Sequence, residues 1–185
     1  LKNQNDKLII PKNINTVLYK SAKFYENVAS AKILIENSVV MTYAGVKKKP
    51  LQILIQTWHG SIGIKRFDTE TKSNKKWIKN AKIDAKQTDY CISNSKFEDD
   101  LYRNTYWETS KILKYGHARN DILFKDDEYI ENIKNKLYDQ LNIQRDTTIA
   151  LYAPTFRDNK SFKPYSIDYN ALRDALSKKF GGNWV

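Results

Sequence analysis

The chain has 185 residues, 41% hydrophobic and 12% aromatic, enough for a packed core and too apolar for a disordered segment. Thirty-two Lys/Arg against 21 Asp/Glu give a net charge of +11, which points to an anionic partner: nucleic acid, anionic lipid or a phosphate-rich substrate. A single cysteine, Cys91, excludes an intrachain disulfide framework, and no apolar run approaches the roughly 18 residues that would span a bilayer.

In chain order the sequence alternates strands and helices. Asn15 to Ala29 carries a helical pattern through Val17, Leu18, Ala22, Tyr25 and Val28. Ala31–Ile35 is a short apolar strand, and Gln52–Ile55 is another that leads into Gln56-Thr57-Trp58-His59-Gly60. Lys72 to Thr88 has helical periodicity. Lys72, Lys75, Lys76, Lys79, Lys82 and Lys86 share one face; Trp77, Ile78, Ala81, Ala85 and Thr88 share the other, with Ile83 the exception. A strand at Asp89–Ile92 contains Cys91, read as a buried inert thiol. Ser95 and Glu98 have the capping-box spacing that opens a helix.

Lys111–Tyr115 is a strand leading to Gly116-His117-Ala118-Arg119-Asn120-Asp121. Glu128–Leu141 is a helix, Thr147–Ala153 a strand, and Tyr169–Phe180 a helix stopped by Gly181-Gly182. Asn183-Trp184-Val185 reads as the opening of a further strand. The alternation predicts an α/β fold with parallel sheets covered by helices and ligands at the carboxyl ends of the strands. One whole unit is expected over residues 1–126, and the truncated start of a second over 127–185. With no Met at its start and an unfinished strand at its end, the chain reads as a piece of a longer protein.

Between Ala44 and Lys86 eleven Lys/Arg face three acids, Asp68, Glu70 and Asp84. Lys47-Lys48-Lys49 adds to the same field. The lysine face of the 72–88 helix is either a solvated surface or a patch for an anionic membrane or polyanionic acceptor.

Three ordered motifs resemble those of the CDP-glycerol glycerophosphotransferases, the teichoic acid primases and polymerases with their CDP-ribitol relatives. They are Gln56-Thr57-Trp58-His59-Gly60 with Lys65, then Gly116-His117-Ala118-Arg119-Asn120-Asp121, then Tyr152-Ala153-Pro154-Thr155-Phe156-Arg157-Asp158. Two departures stand out: Ala118 occupies a position that is usually proline, and Ser61-Ile62 stands where the family usually has Thr-Pro. The resemblance implies a GT-B-like fold of two Rossmann-like domains, with residues 1–126 on the acceptor side and 127–185 beginning the nucleotide-donor domain. It also implies a peripheral enzyme on the cytoplasmic face of the membrane. Such an enzyme moves glycerol phosphate or ribitol phosphate from CDP-glycerol or CDP-ribitol onto a lipid-linked or polymer acceptor and releases CMP. The isolated piece is expected to be inactive.

Within that frame His59 is the candidate general base, since a histidine titrates near neutral pH and this one sits on a strand-exit loop. Arg119 has the planar fork that suits phosphate oxygens; a salt bridge to Asp121 is its alternative. Asn120 and Asp121 read first as turn-shaping residues and secondarily as substrate contacts. Lys65 and Arg66 face either the acceptor phosphate or solvent. Thr155 and Arg157 face either a diphosphate or a domain interface. His117 reads as a loop hydrogen-bonding residue, and Trp58 as packing beneath its loop. No Asp-x-Asp, zinc-spaced cluster or Gly-rich phosphate loop occurs; the need for a divalent metal stays open. Two rivals remain: a GT-B glycosyltransferase using a nucleotide sugar, and a non-enzymatic polyanion binder, although no nucleic-acid motif is present.

Overall fold

The computed structural model describes residues 11–60, 75–153 and 167–185. The chain divides into two compact units, Leu1–Ile122 and Leu123–Val185.

The first unit opens with α1 (Ala22–Ser30), capped by Ser21, whose Oγ accepts the Phe24 N–H. This helix starts later than the periodicity from Asn15 predicts. The Ser21 cap sets the start, and Val17 and Leu18 lie ahead of it in a turn segment where Lys20 takes a φ of +63°. Then follow β1 (Ile33–Glu36), the short α2 (Val40–Tyr43) and β2 (Ile53–Gln56). After these come α3 (Lys75–Gln87), β3 (Tyr90–Ile92), α4 (Lys96–Arg103), β4 (Lys111–Leu113) and a 3-10 turn at Ala118–Phe124.

The four strands form one parallel sheet in the order β1-β2-β3-β4. In a parallel sheet, paired residues share a face, so Glu36, Gln56, Cys91 and Ile112 form one row across all four strands. That face is buried. Cys91, Trp58, Val39, Tyr102, Tyr106 and Trp107 pack with Ala81 and Ala85 of α3 into a single core. Burial pushes the Cys91 thiol up to about 12, so it is inert, as expected. The opposite face is more open: Ile33 and Ile35 are 51% and 67% exposed.

Helix α3 buries the predicted stripe. Ala81, Ala85 and Thr88 are buried, while Lys75, Lys76, Lys79, Lys82 and Lys86 are exposed. Ile83 is exposed too, the exception the periodicity gave. The neighbouring lysines depart from expectation. Lys48 Nζ lies 2.5 Å from Asp89 Oδ2, and Lys49 Nζ donates to the Ala29 carbonyl at 2.7 Å. Two of the three therefore tie the entry of β2 to its surroundings instead of extending the basic face.

In the second unit α5 (Asp127–Leu141) is capped by Asp126 and ended by Asn142 in the left-handed region. Its Tyr138 donates to the Thr147 carbonyl at 2.5 Å. This holds β5 (Thr147–Thr148) beside the helix. Helix α6 (Tyr169–Phe180) then leads to β6 (Asn183–Trp184), which pairs parallel with β5. The opening strand expected at Asn183 is therefore present. β5 is shorter than the predicted Thr147–Ala153, and its ladder with β6 closes with the Ala150 N–H on the Val185 carbonyl at 2.8 Å.

Candidate active site

The carboxyl ends of the four strands carry the polar groups. At the end of β2, Thr57 N–H donates to the Glu36 carbonyl at 2.9 Å and continues the ladder one residue. The backbone then turns sharply at Trp58, which has a φ of +50°. A bulky residue adopts this region only where its surroundings hold it there. Two contacts do so. The Trp58 N–H donates to Gln56 Oε1 at 2.9 Å, and the ring is buried edge-on against Trp107 with centroids 5.2 Å apart. Trp58 thus packs beneath its loop, as the sequence suggests.

The turn lifts His59 out of the core. Its ring stacks on the Trp58 ring at 4.2 Å and remains exposed. His59 Nδ1 lies 2.6 Å from the Asn37 carbonyl at the end of β1. A carbonyl can only accept, so Nδ1 carries the hydrogen. In the neutral ring, Nε2 is then left with the lone pair. A base with its tautomer set from behind and its acceptor nitrogen on the exposed ring is arranged for proton abstraction.

Beneath this loop lies a cluster that the sequence reading missed. Glu36 at the end of β1 and Asp84 of α3 are both buried, and their carboxyls face each other. Burial, and then the neighbouring Asp84, push the Glu36 carboxyl up to about 9. Gln56 Nε2 donates to the Ser38 carbonyl at 3.1 Å and to Asp84 Oδ2 at 3.4 Å. The only sequence signal was an acid, Asp84, set among Ala81, Ala85 and Thr88 on the apolar face of α3.

The second histidine is placed differently. His117 is buried, and its Nε2 lies 2.9 Å from Glu98 Oε2 and 3.0 Å from Oε1. Glu98 is itself fully buried and accepts from Tyr102 Oη at 3.0 Å and from the Asn94 N–H at 2.9 Å. Burial, followed by the Glu98 carboxylate, pushes the Tyr102 hydroxyl well above its ordinary value, and Arg119 opposes that shift. The capping-box expectation is half met. Ser95 Oγ accepts the Glu98 N–H, but the Glu98 carboxylate reaches Asn94 and His117 instead of the Ser95 N–H.

His117 therefore pins the loop after β4 to α4. Asn120 N–H closes that loop on the His117 carbonyl at 2.8 Å, leaving Arg119 and Asp121 exposed and Asn120 half-buried. A cleft of about 680 Å3 beside it is lined by Asn94, Ser95, Lys96, Asp99, Arg103 and Lys114, among others. Two ion pairs form there, Lys114 with Asp99 at 2.8 Å and Lys96 with Asp100 at 2.9 Å. Lys65, Arg66, Lys72, Thr155 and Arg157 lie outside the described residues. Among the described residues, no group of three or more His, Cys, Asp or Glu is placed to hold a metal ion.

The family model for CDP-glycerol:poly(glycerophosphate) glycerophosphotransferases matches residues 1–185. The chain belongs to this family. It is 30% identical to the teichoic acid poly(glycerol phosphate) polymerase of Staphylococcus epidermidis, over 97% of this chain and 26% of the relative. It is also 30% identical to the teichoic acid glycerol-phosphate transferase of Staphylococcus aureus, over 91% of this chain and 46% of the relative. A ribitol-phosphate polymerase of that species, TarK, is 28% identical over 69% of this chain and 26% of the relative.

Among solved structures the wall teichoic acid polymerase TagF superposes with a TM-score of 0.73 at 26% identity, covering 97% of this chain and 45% of that one. The chain thus spans between a quarter and a half of the length of these relatives. The Rossmann-like, GT-B-like fold class expected from the three motifs is the fold of the family member described here.

Proposed function

We propose that this chain is part of an enzyme that transfers glycerol phosphate or ribitol phosphate from a CDP-linked donor to a lipid-linked or polymer acceptor in teichoic acid synthesis. In this reading the terminal hydroxyl oxygen of the acceptor attacks the donor's β-phosphorus. The bond from that phosphorus to the bridging oxygen breaks, CMP leaves, and the hydroxyl proton passes to His59 Nε2. The observation that carries the reading is the 2.6 Å contact of His59 Nδ1 with the Asn37 carbonyl, which supports a free lone pair on Nε2.

Arg119, exposed on a loop pinned by His117, is suited to the equatorial phosphate oxygens, with Asn120 and Asp121 shaping its turn. The donor nucleotide would be held largely by the longer protein, with Thr155 and Arg157 contributing. Lys65 and Arg66 would face the acceptor. Full-length protein is expected to incorporate radiolabel from CDP-glycerol or CDP-ribitol into polymer. Incorporation from nucleotide sugars alone would overturn this reading in favour of a glycosyltransferase.

The exposed lysines of α3 support docking on the anionic cytoplasmic face of the membrane. No helix among the described residues is long and apolar enough to cross it. Each basic side chain near anionic lipid contributes about 1 kcal/mol. Replacing Lys75, Lys79, Lys82 and Lys86 with glutamine is expected to weaken co-sedimentation with anionic vesicles by at least about tenfold. Sedimentation that ignores the anionic lipid fraction would refute the lysine-face assignment.

A further inference from the structure

The loop that carries His59 is built on two buried acids, Glu36 and Asp84. Glu36 and Asp84 are each more than nine-tenths buried, and neither makes an ion pair among the described residues. Two acids in contact away from water cannot both be ionised; one proton must be shared. The hydrogen bonds leave room for it on one oxygen of each acid. Glu36 Oε2 accepts the Met41 N–H at 3.0 Å. Asp84 Oδ2 accepts from Gln56 Nε2 and from Thr88 Oγ1, both at 3.4 Å. The two remaining oxygens, Glu36 Oε1 and Asp84 Oδ1, are buried with no hydrogen-bond partner among the described residues, which leaves them for a shared proton.

Each partner leads to His59 by a short covalent or hydrogen-bonded path. The Glu36 backbone holds Thr57 through the 2.9 Å ladder bond, and its next residue, Asn37, supplies the carbonyl that fixes Nδ1. Asp84 holds the Gln56 amide, which also clamps Ser38 and captures the N–H of left-handed Trp58. The segment 36–38 and the segment 56–59 are thereby fixed against each other at both ends. We propose that the Glu36–Asp84 pair is a positioning device for His59, whose single shared proton keeps the Asn37 carbonyl in register with the imidazole and so sets its tautomer. The proposal rests on His59 as the general base.

The pair retains its proton at neutral pH, because burial and the facing acid raise the Glu36 carboxyl to about 9. Among the described residues, the other ionisable groups that face it are Tyr19, ahead of α1, and Cys91 of β3. Both are neutral at pH 7, with Tyr19 raised and Cys91 pushed to about 12 by burial. Loss of the shared proton sets two charges against each other and pushes the β1 end away from α3 and from the β2 loop that Asp84 holds through Gln56. Catalysis should therefore fail on the alkaline side for a reason separate from the titration of the base itself.

The test uses the full-length protein with 15N-labelled histidine, the His59 signals being assigned by their loss in His59→Asn. In the unmodified protein the Nδ1–H signature of His59 is expected to hold from pH 7 and to disappear in one step near pH 9; a signature unchanged to pH 10 overturns the proposal. In Glu36→Gln, an amide that donates to Asp84 and cannot ionise, the step is expected to vanish. Transfer at pH 7.5 should stay within about threefold, and the alkaline fall of kcat should move up by at least about one pH unit. A step that persists in Glu36→Gln overturns the proposal, and so does loss of turnover with the tautomer intact. Should His59→Asn retain turnover, the general-base reading falls while the tautomer titration still decides the positioning role.

Discussion

His59→Asn in the full-length protein is expected to lower polyol-phosphate transfer by about a thousandfold, within the range that a positioned general base contributes. Asparagine is the informative replacement because its side-chain amide can still donate to the Asn37 carbonyl that His59 Nδ1 meets at 2.6 Å. The tie between the β1 and β2 ends survives, and only the lone pair at Nε2 is removed. The loss should fall on kcat, with the acceptor KM nearly unchanged, because the proton is taken only as the phosphorus–oxygen bond forms. The thermal midpoint should match the parent. Turnover above about one-tenth of the parent value would remove His59 from the chemistry.

Glu98→Ala is expected to destabilise the first unit by about 3–5 kcal/mol, read from denaturant unfolding. The carboxylate is fully buried and serves three donors: His117 Nε2, Tyr102 Oη and the Asn94 N–H. Truncation strands all three away from water, and an unmatched buried donor costs more than the bond it lost contributed. Replacing both partners with apolar residues, Glu98→Leu with His117→Phe, should recover much of the loss, since the buried carboxylate and the imidazole that faces it leave together. A cost below about 1 kcal/mol for Glu98→Ala would mean that water reaches the site. Activity should fall with the single change even at temperatures where the unit stays folded, because the loop bearing Arg119 is anchored through His117.

Much of the fold could be read in advance because its signals are local. Apolar runs of four or five residues between helical stretches place the strands, and the 3.6-residue period of α3 separates the exposed lysines from Ala81 and Ala85. The boundaries were less legible: a serine cap overrides the apolar positions before α1.

The position of His59 just after a strand could be read, but what holds it there could not. A Trp in the left-handed region has no sequence signature, since nothing in the residue favours it. Glu36 and Asp84 meet only because β1 and α3 cover the same face, and one-dimensional periodicity does not report pairs between elements. Glu98 shows the reverse error. A valid local rule assigned its carboxylate to the Ser95 N–H, and a tertiary partner, His117, helped to draw it elsewhere.

The order of the strands in the sheet has a consequence for how the first unit is made. Each strand pairs with the one before it in sequence, so none has to wait for a distant segment to be synthesised. Pairing neighbours in sequence keeps each loop closure as short as these four strands allow. The sheet can lengthen one edge at a time as the polypeptide emerges, from β1 towards β4. The core residues Trp107 and Tyr106 arrive late in that sequence and lock what has already assembled. A ribosome-bound chain released just after β3 should thus hold three paired strands but lack the aromatic cluster that makes them resistant to protease.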